Sequence, residues 1–245
     1  VDEHRTTRAA SFERGAAVYQ ATRPSYPDEV VRWCVPHDAR DVLDLAAGTG
    51  KLTQRLVAFG FDVVAVEPSD AMRAELERAA PDADARPGTA ERTGLPDACV
   101  DAVTVAQAWH WFDPPTAAAE IARVLRPHGS VAVLWNVRDQ ATDWVARWTR
   151  IVHTGDSLEP SARVPVLGDR FTEPEHHEVA WSTPMPTADL RVLAASRSHL
   201  LTLPDDERDA LLDQVDDLVA THPDLRGRTT VDVPYRTLCW RATRR

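Results

Sequence analysis

The sequence predicts a doubly wound α/β protein, a mostly parallel sheet with helices on both faces, and three features carry that expectation. Between residues 41 and 135, short β-rich apolar runs alternate with segments of helical period. The first run, Asp41-Val-Leu-Asp-Leu-Ala-Ala-Gly-Thr-Gly50, ends in two glycines spaced Gly-x-Gly just before a helix opening at Lys51. The second run, Asp62-Val-Val-Ala-Val66, ends in Glu67. Sheets of this kind bind ligands at the carboxyl ends of their strands, where the strand order reverses. The glycine turn and Glu67 both fall at such ends.

Taken in order, residues 1 to 11 are polar, and 11–20 reads as a short helix. Arg23-Pro-Ser-Tyr-Pro27 must be extended, because a residue before proline is pushed out of the helical region. Pro27 suits a helix start, with Asp28 and Glu29 in a first turn favoured by the helix dipole. Strand 41–46 leads to helix 51–59, stopped by Gly60. Strand 62–66 leads to helix 69–79, with Ser69 as N-cap and Pro81 beyond its end. A short extended piece follows near 84–87. Strand 100–106 precedes helix 115–125, stopped by Pro127 and Gly129, and Ser130-Val-Ala-Val-Leu-Trp135 forms the fifth strand. Beyond Trp135 the rhythm changes: 140–153, 187–203 and 205–221 read as helices, and 228–240 as a late strand. Glu178-Val-Ala-Trp181 is its expected antiparallel partner. The helices between those two strands are placed to form a cap over the mouth of the site.

Length and composition narrow the function. The chain has 245 residues, enough for one α/β domain with a small cap. Its formal charge is −10, Lys51 is its sole lysine, and no basic block occurs, which argues against a nucleic-acid partner. Three dispersed cysteines, Cys34, Cys99 and Cys239, point to a reducing compartment without a disulfide frame or zinc pattern. The first residues carry no apolar signal core and no run reaches membrane-spanning length, so a cytoplasmic protein is expected. No metal is expected either: His176-His177 lacks a third ligand at a recognisable spacing.

Three ligand classes use a glycine turn of this type. A phosphate-binding P-loop fails twice, because Leu45 and Leu52 occupy its first glycine and its Ser/Thr position. A dinucleotide fingerprint wants a third glycine where Thr53 stands. What remains is Asp-x-x-x-Gly-x-Gly followed by a strand ending in an acid, and a carboxylate there can accept both ribose hydroxyls of an adenosine.

Asp44, Gly48 and Gly50 resemble motif I of the class I S-adenosylmethionine-dependent methyltransferases, and Glu67 falls where their ribose-binding acid lies. Tyr19, Arg23, Pro24, Tyr26 and Pro27 reproduce the pattern Tyr-x-x-x-Arg-Pro-x-Tyr-Pro of a small-molecule branch. Gly88-Thr-Ala-Glu91 is similar to the family's adenine-holding segment, and Gln107-Ala-Trp-His-Trp-Phe112 to its fourth-strand motif. The resemblance covers roughly residues 10 to 136 and, more weakly, the late strand. It implies a Rossmann-like, mostly parallel seven-stranded sheet in a single domain, with 1–30 and roughly 138–225 contributing a lid or cap, and S-adenosylmethionine as cofactor.

By the same resemblance, Tyr19 and Arg23 hold the methionine carboxylate, for which guanidinium is the natural partner. Ala46, Gly48, Thr49 and Gly50 form the cofactor turn, while Glu67, Pro68 and Met72 surround the ribose. Thr89, Ala90, Glu91 and Gln107 complete the cofactor set. Asp44 serves either the turn or the cofactor's amino group. Trp109 and Trp111 are either core or acceptor contacts, and His110 either a general base or a structural histidine. Trp135, Asn136, Arg197 and Tyr235 are the remaining candidates for a small-molecule methyl acceptor, with Arg138 and Asp139 following at the same edge. A nicotinamide oxidoreductase, or a protein that binds the cofactor without transferring methyl, are the competing readings.

Overall fold

A computed structural model describes residues 23–155 and 164–245. Tyr19 and the helix expected over 11–20 lie outside the described residues.

The elements run α1 (Asp28–Cys34), β1 (Asp41–Leu45), α2 (Lys51–Ala58), β2 (Asp62–Val66), α3 (Asp70–Ala79), β3 (Asp84–Arg86) and β4 (Val100–Ala106). A single 3₁₀ turn (Trp109–Trp111) leads into α4 (Pro114–Val124) and β5 (Leu125–Arg138). Then come α5 (Asp143–Val152), β6 (Glu175–Pro186), α6 (Asp189–Ala195), α7 (Ser198–Leu201), α8 (Asp205–Thr221) and β7 (Thr230–Thr243). The seven strands form one sheet in the order β3-β2-β1-β4-β5-β7-β6. Strands β1 to β5 pair in parallel. Against β5, β7 runs antiparallel: Asp139 N–H bonds to Pro234 O at one end, and Arg244 N–H to Gly129 O at the other. The expected fold class is borne out, with the predicted antiparallel pair closing the sheet. Pro184 and Pro186 are tolerated in β6 because it is an edge strand.

The chain divides into two compact units. The sheet unit comprises Ser25–Asn136, Ala162–Val179 and Thr237–Arg245. Its core joins Val30, Val31 and Cys34 of α1 to Val42, Leu52, Leu56, Ala102, Ala132 and Leu134, all fully or nearly fully buried. Burial of both faces explains why these parallel strands read as unbroken apolar runs. The helical unit includes Val137–Ser161 and Ala180–Arg236. Trp144, Val145, Trp148 and Val152 form the inward stripe of α5 and cluster with Leu190, Leu193, Leu212, Val215 and Leu218 from α6 and α8.

Two boundaries differ from expectation. Helix α4 stops at Val124 and β5 begins at once, five residues before Ser130. Arg126 precedes Pro127 and is therefore held extended, so the segment expected to end the helix starts the strand. The helix expected over 187–203 is two pieces. Ser196 Oγ donates to Leu193 O at 2.8 Å, and Arg197 N–H bonds back only three residues to Ala194 O, which ends the first piece.

Candidate functional site

The strand order reverses between β1 and β4, so the ends of these strands define the crevice. Each end carries a non-glycine residue in the left-handed region: Ala46 at φ 55° after β1 and Gln107 at φ 61° after β4. Such conformations are costly and concentrate at functional sites. Ala47 N–H bonds to Val66 O of β2 at 3.1 Å, and Gly50 N–H closes the turn on Ala47 O at 3.0 Å. Gly48 and Gly50 have φ of 57° and 82°. A Cβ on Gly50 would meet Leu76 Cγ at 3.1 Å, whereas one on Gly48 would meet nothing within 4 Å. Gly50 is therefore a packing glycine against α3. Gly48 faces open space, as close approach of a ligand to the backbone requires.

Glu67 is nearly buried at the end of β2. Its Oε2 accepts from Gly48 N–H at 2.9 Å and its Oε1 from Ser69 N–H at 3.0 Å, while Arg73 Nη1 donates to its backbone oxygen at 2.9 Å. The carboxylate is thus pinned between the two turns. Pro68 beside it is exposed, Met72 is buried on α3, and Ser69 caps that helix by accepting from Met72 N–H.

Asp44 lies under the turn, fully buried. Thr53 Oγ1 of α2 donates to Oδ2 at 2.6 Å, and Thr104 Oγ1 of β4 to Oδ1 at 3.0 Å. Burial pushes its carboxyl up to about 6, against the lowering influence of the two hydroxyls, with nearby Glu67 adding to the rise. Asp44 therefore ties strand, helix and neighbouring strand together. Thr104 stands opposite Asp44 in the parallel register. Neither threonine was singled out as functional from sequence; for Thr104 the signal was a hydroxyl side chain inside the apolar stretch 102–106.

At the end of β4, Gln107 Nε2 donates to Asn136 O at 3.3 Å. Asn136 Nδ2 donates in turn to Ser25 O at 3.1 Å, and its Oδ1 accepts from Thr237 Oγ1 at 2.6 Å. Gln107, Ser25 and Thr237 thus converge on one residue, Asn136. Trp109 is buried and meets Phe112 edge-on at 5.6 Å, and Trp135 is buried edge-on against Trp240 at 5.3 Å. His110 and Trp111 are half-buried, with rings 4.7 Å apart. Thr49 and Ala90 are buried; Thr89 and Arg92 exchange backbone hydrogen bonds, and Glu91 Oε1 accepts from Asp113 N–H at 3.0 Å.

The helical unit holds the other candidates. Arg23 Nη2 donates to Ser196 O at 3.3 Å, and Arg197 Nη2 lies 2.9 Å from His153 Nε2. Tyr235 is buried, stacked on Trp181 at 5.2 Å. Each of the two adjacent histidines has its own aromatic partner, His176 beside Trp240 and His177 stacked on Trp33. Among the described residues, no helix is long and apolar enough to cross a membrane.

Comparison with known proteins agrees with this geometry. The methyltransferase-domain family matches residues 43–133. An uncharacterized methyltransferase of Mycobacterium tuberculosis is 45% identical over 240 residues, covering 98% of each chain. One of Schizosaccharomyces pombe is 30% identical over 239 residues, covering 94% of this chain and 95% of its own. The solved structure of an Anaeromyxobacter dehalogenans protein assigned to the type II methyltransferases superposes with a TM-score of 0.64 at 24% identity, covering 91% and 97% of the two chains, a likeness of fold.

Proposed function

The chain belongs to the class I S-adenosylmethionine-dependent methyltransferases, and from that premise we propose that it transfers the methyl group of S-adenosylmethionine to an oxygen, nitrogen or carbon nucleophile of a small molecule. The observation that carries the reading is the placement of Glu67: its carboxylate ends β2, fixed at 2.9 Å to the N–H of Gly48, beside the one turn glycine with open space over its Cβ position. A carboxylate fixed there suits the two ribose hydroxyls of an adenosine. The residues present fit the cofactor.

When bound, the cofactor supplies a methyl carbon that already bears a good leaving group. The chain's own task is therefore alignment and exclusion of water, since orientation supplies most of the rate. In this reading Ala46, Gly48, Thr49 and Gly50 shape the turn, and Glu67 with Pro68 and Met72 holds the ribose. Thr89, Ala90, Glu91 and Gln107 enclose the adenosine. Tyr19 and Arg23 bind the methionine carboxylate, an assignment resting on the resemblance. His110 takes a proton from the acceptor where the nucleophile carries one. Trp109, Trp111, Trp135, Asn136, Arg197 and Tyr235 belong to acceptor recognition, as does a cap formed by 1–30 and roughly 138–225. A cytoplasmic location belongs to the same reading and rests on three free thiols.

Calorimetric titration of the purified protein with S-adenosylhomocysteine and, separately, NADH tests the reading. Binding of the first alone is expected. Binding of NADH alone would mean an oxidoreductase instead.

A further inference from the structure

Arg138, the last residue of β5, occupies an unusual electrostatic position within the helical unit. Its guanidinium lies over the Trp148 ring, 4.4 Å from the centroid, and its Nε donates to Thr149 Oγ1 at 3.1 Å. The side chain keeps partial access to solvent, yet burial lowers its pKa to about 10. Among the described residues, the ionisable side chains that act on it are Tyr235 and Arg23, and neither is a carboxylate. No described group accepts from its two Nη atoms. Tyr235, only 3% exposed, stands across from Arg138 on β7, since Asp139 N–H of β5's end bonds to Pro234 O at 3.0 Å in the antiparallel pairing. Contacts with Ser196 O and His153 Nε2 hold Arg23 and Arg197 in place.

Acidic residues outnumber basic ones in this chain, 38 to 28. A guanidinium partly withdrawn from water, with no carboxylate beside it among the described residues, is therefore unusual. Desolvating a charge without an opposite partner is expensive, and an arriving anion offsets that cost. The two free Nη groups form a fork that matches the two oxygens of a carboxylate, and the phenol of Tyr235 adds a third donor. Along β5, Arg138 is two residues beyond Asn136, one of the residues that the sequence leads one to expect at the acceptor.

We infer that Arg138 and Tyr235 form a carboxylate-binding site, so that the methyl acceptor is a small organic acid held by its carboxylate. The inference rests on the methyltransferase reading and deepens it by naming the acceptor's chemistry. It differs from the cofactor's own carboxylate, which that reading gives to Tyr19 and Arg23.

The test uses the whole chain, first saturated with S-adenosylhomocysteine and then titrated with succinate, its neutral diamide succinamide, and inorganic phosphate. Succinate is expected to bind at least tenfold more tightly than succinamide, and more tightly than phosphate. Arg138→Met, which preserves the stem over Trp148, is expected to weaken succinate tenfold or more while leaving the S-adenosylhomocysteine dissociation constant within twofold. Tyr235→Phe, which keeps the stack on Trp181, is expected to weaken succinate about threefold. Equal binding of acid and amide, or no binding of succinate up to tens of millimolar, would overturn the site. Tighter binding of phosphate would overturn the carboxylate assignment. Succinate that binds only in the absence of S-adenosylhomocysteine would assign the pocket to the cofactor. Failure of S-adenosylhomocysteine itself to bind would defeat the underlying reading, a result distinct from all of these.

Discussion

Thr53 donates its hydroxyl proton to Asp44 across 2.6 Å, joining the first turn of α2 to the strand beneath the glycine turn. The pair explains why a threonine stands where a dinucleotide-binding turn would carry its third glycine. Helix and strand are held there by a hydrogen bond to a buried carboxylate instead of by close backbone packing.

Removing that hydroxyl tests the arrangement. Thr53→Val keeps the shape and leaves one oxygen of a buried acid without its donor, at a cost of about 1.5–3 kcal/mol. Thr104→Val is expected to cost less, since its hydroxyl is further from Asp44 and also lies 3.4 Å from Leu43 O. Urea unfolding measures both, and a loss below about 0.5 kcal/mol in Thr53→Val would mean the bond does not matter to the fold.

Asp44 should also give stability a distinctive pH slope. Its folded pKa, about 6, lies above the ordinary 3.8, so between these values the folded state holds a proton that the unfolded state has lost. Stability attributable to this residue is therefore full below about pH 4 and falls as pH rises through about 6, by roughly 3 kcal/mol at most. Asp44→Asn is neutral throughout and lacks the slope. Urea midpoints of the two proteins at pH 4.5 and 7.5 should differ in this sense: the wild type loses stability relative to the variant on going to pH 7.5. Parallel behaviour, or the reverse trend, would contradict the burial argument.

Gly48→Val is expected to abolish binding of S-adenosylhomocysteine while the far-ultraviolet circular dichroism stays that of the wild type. A Cβ at this position meets nothing within 4 Å, so the main cost to the fold is the strain of a β-branched residue at φ 57°. The occupied space is what the cofactor needs. Unchanged affinity would mean that ligand does not approach this turn.

The parallel half of the fold was legible because its signals are local. Alternating runs, Gly60, the Ser69 cap and the Asp28-Glu29 start all correspond to the elements observed. The break at Ser196 was not, because a hydroxyl bonding back to Leu193 O leaves no mark in the apolar pattern. Within the site, Gly48 and Glu67 stood out because backbone conformation and strand ends have sequence signatures. The roles of Thr104 and Arg138 depend on cross-strand register and on which charges fail to arrive, and one sequence displays neither. Trp109 and Trp135 show the same ambiguity from the other side: an aromatic cluster reads alike whether it packs or binds, and each of these rings meets another aromatic ring edge-on.

The central claim is that Glu67 receives the ribose of an adenosyl cofactor at the Gly48 turn. Calorimetry of S-adenosylhomocysteine binding to wild type and Glu67→Ala, with circular dichroism to confirm the fold, tests it most directly. The variant loses two hydrogen bonds to a charged acceptor, at roughly 1.5–3 kcal/mol each before water compensates, so its dissociation constant should rise by at least about tenfold. A folded Glu67→Ala protein with wild-type affinity would contradict the account.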